Sequence, residues 1–221
     1  MPSQVKRDLP CGAGFGIIRG METEMKTSTV QVGTYGVNCT ILRFGAKAWV
    51  VDPGAEGERI AAMLAADGAA AEAILLTHGH FDHIGGIPAL QRAFPDAKVY
   101  IHPGDVPMLG HPLNQCPPDY PRIAAPANVE DCRALGGVTV LETPGHTPGG
   151  VCYWFPESKL LLSGDTLFAG SVGRTDFPGG SMARLVDSLK ALAALPEDAM
   201  VVPGHGPCTT IGREKASNPY M

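Results

Sequence analysis

No run of about 18 consecutive apolar residues occurs in the 221-residue chain, so no segment of it has the length and apolarity of a bilayer-crossing helix. No cysteine pair has the C-x-x-C spacing. Cys11, Cys39, Cys116, Cys132, Cys152 and Cys208 are scattered, which excludes a zinc ribbon and a thioredoxin-type motif. Six dispersed thiols in a chain of this size fit a reducing cytoplasm, with Cys116 and Cys208 read as small buried thiols. The opening residues carry Lys6 and Arg7 but no apolar stretch, so they do not form a secretory signal. Basic charge is also scarce. Seventeen Lys and Arg face 22 Asp and Glu, a formal net charge of −5, and no basic run occurs. That balance argues against nucleic acid or an anionic membrane as partner. The two halves share no exact repeat.

Glycine and proline are abundant instead, at 28 and 20 residues. They are dispersed among apolar runs, so they read as tight turns between short elements. With 44% hydrophobic and 18% charged residues the chain is globular rather than disordered. Its length suits one large domain, which buries about 70% of its unfolded surface. Residues 1–25 read as a disordered leader or a misplaced start, since Met21 and Met25 offer later ones. The cluster Gly12, Gly14, Gly16 lacks a preceding strand and is not a phosphate loop. Residues 26–221 read as a single domain.

From Thr27 the pattern becomes regular. Strands are expected at Thr27–Val32, Asn38–Phe44, Ala48–Asp52, Ala73–Thr77 and Lys98–His102, with helices over Glu56–Ala66 and about Ile87–Phe94. Pro107, Pro112, Pro117, Pro118, Pro121 and Pro126 forbid continuous helix or a central strand over 107–126. A long loop of that kind is often functional. The second half offers strands at Val138–Glu142, Gly150–Phe155, Lys159–Ser163 and Met200–Val202, a helix over Met182–Leu195 and a short helix from about Ile211. Strands with one or two helices in each half imply an α/β protein, two sheets face to face with helices outside, a four-layer αββα sandwich.

Five of the seven histidines follow apolar strands directly. Ile74-Leu75-Leu76-Thr77 runs into His78-Gly79-His80-Phe81-Asp82-His83. The other strands run into His146, Asp165 and His205, each preceded by a glycine. If the strands run in similar directions, their carboxyl ends bring seven side chains to one edge of the two sheets, where α/β folds bind ligands. Imidazole and carboxylate suit Zn²⁺ first, with Fe or Mn as alternatives. Five histidines and two aspartates exceed the needs of one tetrahedral ion and suit two divalent ions per chain with a bridging carboxylate. With a hydroxide included, such a first shell nets about +1, which favours an anionic substrate. Metal binding would bring bound water to a pKa of roughly 7. His102 and His111 fall outside this pattern and read as surface or hydrogen-bonded core residues. Asp52, at a strand end before Pro53-Gly54, reads as a turn former or a buttress for a ligand imidazole.

The series T-H-G-H-F-D-H with G-H146, G-D165 and G-H205 resembles the H-x-H-x-D-H…H…D…H signature of the metallo-β-lactamase-fold superfamily, over essentially the whole chain from about residue 27. The resemblance implies that His78, His80 and His146 hold one metal. It gives Asp82, His83 and His205 to the other, with Asp165 bridging and with Asp82 and Asp165 at the chemistry. Within the superfamily, T-P-G-H-T-P-G (143–149), S-G-D-T-L-F (163–168), P-G-H-G-P (203–207) and N-P-Y (218–220) resemble the short bacterial type of glyoxalase II-like hydroxyacylglutathione hydrolase. The expected reaction is hydrolysis of a small anionic acyl thioester such as S-D-lactoylglutathione by a metal-bridging hydroxide. The thiolate, with a pKa near ~8.5, leaves without a strong acid. A persulfide dioxygenase with mononuclear iron shares the G-R-T-D-F segment, and a lactonase-type hydrolase uses the same hydroxide chemistry. The long glyoxalase II enzymes carry a further C-terminal glutathione-gripping helical domain, which is not expected here. Recognition is expected from Arg174, Phe177 and Tyr120, with Arg174 meeting a substrate carboxylate.

Overall fold

The computed structural model describes residues 15–17, 24–111, 114 and 123–221. Strand β1 (Phe15–Ile17) pairs antiparallel with the start of β2 (Glu24–Val32), and Met25 is buried. Met25, the last residue of the expected leader, packs in the core between the sheets. Two antiparallel turns lead through β3 (Val37–Phe44) to β4 (Lys47–Val51). Helix α1 (Gly57–Ala66) then crosses over to β5 (Ala70–Leu75), which lies parallel to β4. The short α2 (Phe81–Ile84) and α3 (Ile87–Ala93) precede β6 (Lys98–Ile101), and β7 (Val129–Asp131) closes the sheet. The seven strands stand in sequence order.

The second sheet takes β8 (Thr139–Glu142), β9 (Val151–Phe155) and β10 (Leu160–Gly164) as an antiparallel meander. A small hairpin of β11 (Leu167–Phe168) and β12 (Ser171–Val172) follows, then α4 (Met182–Leu192). Strand β13 (Met200–Pro203) returns parallel to β10, and β14 (Thr209–Thr210) leads into α5 (Ile211–Ser217). The sheet order is β14-β13-β10-β9-β8.

Successive strand residues point to opposite faces, and that alternation builds the layers. On β4, Ala48 and Val50 face α1 and α3, whereas Trp49 and Val51 face the other sheet. On β9, Val151, Tyr153 and Phe155 meet Trp49 and Val51 in the central layer, while Cys152 and Trp154 turn outward. Leu185, Leu189 and Leu192, spaced along one face of α4, cover that outer side. Three apolar interfaces thus separate four layers, α/β/β/α, as the α/β reading anticipated.

Several elements differ from the expected ones. The strands β7, β11, β12 and β14 have two or three residues each, too few to display alternation. The helix from Met182 stops at Leu192, ahead of Pro196. In the proline-rich segment Val106–Met108 forms a 3₁₀ turn, while 112–113 and 115–122 lie outside the described residues. Cys208, read as a buried thiol, is disulfide-bonded, while Cys39, Cys132 and Cys152 are free and buried. No helix among the described residues is long and apolar enough to cross a membrane.

Strand direction sets the location of the site. Strands β4 and β5 are parallel, as are β10 and β13, and two antiparallel steps give β8 the direction of β10. Their carboxyl ends therefore meet at one edge. There the sheets are joined by hydrogen bonds from Val151 N to Thr77 O (2.8 Å) and from Asn38 N to Gly204 O (2.8 Å). The Tyr153 hydroxyl donates to Leu76 O at 2.9 Å.

Candidate metal centre

Beyond β5 the chain passes Leu76 and Thr77, bends at His78, presents His80 in extended backbone, and winds into α2 with Asp82 and His83. Asp52, at the end of β4, fixes this departure. Its Oδ1 accepts from Thr77 N at 2.8 Å and its Oδ2 from the Thr77 hydroxyl at 2.6 Å. The Gly79 peptide between the two histidines is held on both sides. Its N–H donates to Asp105 Oδ2 at 3.0 Å, and its carbonyl accepts from Asn114 Nδ2. The same buried Asp105 carboxylate accepts from the Thr147 hydroxyl (2.7 Å) and Gly149 N (2.6 Å). One side chain thus ties the His78–His80 loop to the loop bearing His146.

Asp165 and His205 follow β10 and β13. A Cβ at Gly204 would lie 2.2 Å from Asp165 Oδ1 and 2.8 Å from His83 Cε1, so only glycine leaves room for the cluster there. Gly164 holds φ +48, and a Cβ would meet Thr77 at 2.3 Å. Asn38 anchors the last loop by donating from Nδ2 to Pro203 O (2.9 Å) and Gly206 O (2.8 Å).

All seven residues singled out as ligands converge. Donor atoms of His78, His80 and His146 lie within 4.8 Å of one another, as do those of His78, His83 and Asp165, and of Asp82, His83 and His205. Asp165 stands between the outer groups. Its Oδ1 is 3.5 Å from His83 Nε2, and its Oδ2 is 3.6 Å from both His146 Nε2 and His205 Nε2. Asp82 Oδ2 is 3.3 Å from His205 Nε2.

The outward ring nitrogens settle how the imidazoles face inward. Nδ1 of His146 lies 2.7 Å from the Arg174 carbonyl and Nδ1 of His205 lies 3.1 Å from the Tyr35 carbonyl. A carbonyl only accepts, so in the neutral rings these nitrogens carry the protons and each Nε2 is left to present a lone pair to the cluster. His83 Nδ1 stands 3.0 Å from Asp52 Oδ2. Among the described residues, the buried cluster atoms His78 Nε2, His83 Nδ1 and Asp165 Oδ1 find no hydrogen-bond partner. An unsatisfied buried polar atom costs about 1–3 kcal/mol, and facing lone pairs repel. A donor set of this composition fits divalent cations of the zinc, iron or manganese type.

Protonation follows the same division. Burial, then the neighbouring imidazoles, pushes His78 well below the usual histidine range and His80 down to about 3, so both offer lone pairs at neutral pH. At His83 burial opposes the charge, but Asp165, Asp52 and Asp82 outweigh it and raise the ring to about 10. His205 is raised in the same way, against burial, by Asp82 and Asp165. Asp82, despite its burial, is held down to about 2 by His83 and His205.

A cavity of about 370 Å³ opens beside His80, walled by Phe81, Pro107, Met108, Phe177 and Pro178. Phe177 packs edge-on to His80 at 5.6 Å between ring centroids. The Arg174 side chain is engaged elsewhere. Its Nε and Nη2 donate to the two oxygens of Asp176 at 2.7 and 2.6 Å, and its guanidinium stacks 3.8 Å above the Phe177 ring. The site uses the Arg174 backbone carbonyl and, through this stack, the placement of Phe177. Tyr120 lies outside the described residues. His111, read as a bystander, also lines the cavity. Nothing in the sequence singled out Asp105 or Asn114.

The model of the metallo-beta-lactamase superfamily matches residues 32–205. A relative from Haemophilus influenzae described as hydroxyacylglutathione hydrolase GloC is 32% identical over 213 residues, covering 89% of this chain and 98% of its own. A solved structure titled TTHA1623 in a di-iron-bound form is 40% identical with a TM-score of 0.81, covering 87% of this chain and 99% of that one. The structure of the BLEG-1 B3 metallo-beta-lactamase is 33% identical with the same TM-score, covering 88% and 98%.

Proposed function

Since this chain belongs to the metallo-beta-lactamase superfamily and is a metal-dependent hydrolase, we propose that it cleaves small acyl thioesters, with S-D-lactoylglutathione within its range. The observation that carries the proposal is the position of Asp165, one carboxylate within 3.6 Å of His83, His146 and His205. His78, His80 and His146 would hold one divalent ion, Asp82, His83 and His205 a second, with Asp165 shared between them. The orphaned His78 Nε2 and Asp165 Oδ1 support that assignment. The ions would supply Lewis acidity and make hydroxide available near neutral pH. The chain's own residues orient the imidazoles through carbonyls and Asp52, and keep the His78 and His80 rings neutral. They also provide an apolar wall that thins the water around the scissile bond. A thiolate is a good enough leaving group that no further acid is required, and none of the described residues needs to be given that role.

The likeness to hydroxyacylglutathione hydrolase GloC supports the substrate class, and the di-iron-bound relative supports the pair of ions. Thioester loss, followed at 240 nm with and without chelator alongside metal analysis, tests the reading. Metal-dependent turnover with two ions per chain is expected. Metal-replete protein inert toward every thioester, or one iron per chain with sulfite formed from a persulfide, would replace it. A second reading, β-lactam hydrolysis, is favoured by the likeness to the B3 enzyme. Nitrocefin turnover faster than thioester turnover would put it first.

A further inference from the structure

The cavity beside His80 has a chemistry that the cluster does not explain. Five apolar side chains, Phe81, Pro107, Met108, Phe177 and Pro178, make most of its wall, and no Lys, Arg, Asp or Glu lines it among the described residues. Arg174, whose guanidinium stacks on the lining residue Phe177, is paired with Asp176. Of the polar lining groups beyond His80, Asn114 donates its Nδ2 to the carbonyls of Gly79 and Met108, while its Oδ1 is buried with no hydrogen-bond partner among the described residues. His111 is the other. At about 370 Å³ the cavity falls at the small end of ligand pockets. A substrate whose reacting carbonyl meets the cluster at His80 must place the group next to that carbonyl here.

Resting on the thioesterase reading, we propose that the pocket takes the acyl half of the substrate, and that this half is an uncharged apolar chain or ring larger than lactoyl. The choice of acyl over thiol follows from chemistry. Peptide and pantetheine thiols carry amides a few bonds from sulfur, and burying amides without partners is costly. Among the described residues this wall offers them only His80, His111 and the Asn114 oxygen. An apolar acyl chain needs none and gains from each methylene buried.

The test uses the metal-loaded full chain and glutathione thioesters of acetate, butyrate, hexanoate, benzoate and D-lactate. The expected result is a kcat/KM that rises about fourfold per methylene up to hexanoyl, with lactoyl below butyryl. The substitution Met108→Glu flattens this slope and Met108→Leu keeps it. A flat series, or lactoyl as the best substrate, overturns the proposal and leaves the thioesterase reading standing. If no thioester is cleaved, that reading fails, and fluorescence of the apolar probe N-phenyl-1-naphthylamine decides the pocket's chemistry separately. Enhancement lost in Met108→Glu upholds an apolar ligand, and absence of enhancement in the unaltered protein overturns it.

Discussion

Asp105 is a buried carboxylate with three donors among the described residues, which is an expensive arrangement unless every bond is used. It takes the N–H groups of Gly79 and Gly149 and the hydroxyl of Thr147, so two ligand-bearing loops share one anchor. Asp105→Ala would strand three buried donors and is expected to cost roughly 3 kcal/mol or more in denaturant melts. If His78, His80 and His146 hold one ion as proposed, metal analysis should find that ion lost before the other. Glycines offer a sharper contrast. Gly204→Ala drives a methyl into Asp165 and His83, whereas Gly206, at φ +78, has open space around it. Gly206→Ala should cost about 1–2 kcal/mol in backbone strain and leave metal content intact. Gly204→Ala should lose metal on dialysis. Equal metal contents in the two variants would show that crowding at Gly204 does not matter.

Among the elements, α5 and the β11–β12 hairpin act together. Glu214 is buried and accepts from Gly170 N at 2.7 Å and from the Thr209 hydroxyl, while Asn218 donates to Ser171 O at 3.0 Å. The hairpin so held sets Phe168 against His205, with ring centroids 6.2 Å apart. Burial alone would raise the Glu214 carboxyl, but Thr209, Gly170 and Asn218 hold it below its ordinary value. A depressed carboxyl contributes stability that is present above the unfolded value of about 4.5 and is lost as pH falls through the lower folded value. Glu214→Gln should therefore melt lower than the parent at pH 7, with the gap closing as the pH drops below about 4. A gap independent of pH would assign the loss to packing alone. These elements also show where the sequence stops being legible. The ligands could be read because His78 to His83 are contiguous and the others sit just past long apolar strands. β11, β12 and β14 are too short for periodicity. Asp105 pairs with groups 26 to 44 residues away, so nothing local in the chain announces it. The expectation that Arg174 meets a substrate carboxylate came from the resemblance alone, and in the structure its guanidinium pairs with Asp176, two residues along the chain.

At the scale of the whole molecule, the cluster draws on both sheets. Asp52, His78, His80, Asp82 and His83 come from the first, and His146, Asp165 and His205 from the second. Ions that bind only the folded arrangement add their binding free energy to stability, about 4 kcal/mol at a thousandfold excess over Kd. Stripping them with chelator should lower the melting temperature by roughly 10 °C in a chain of this size, as read by calorimetry. Return of the metal should restore the melt, and an unchanged melt would mean the cluster is pre-formed and indifferent to its ions.

The bonds that stitch the sheets at this edge, Val151 to Thr77, Asn38 to Gly204 and Tyr153 to Leu76, carry a consequence in time rather than energy. An ion gripped from both sides is released when the edges part, and parting breaks those bonds in the same event. Isotopic exchange of bound metal would then keep the same clock as amide exchange at Val151 and Asn38, and the lifetime of the ion would measure how often the sandwich opens.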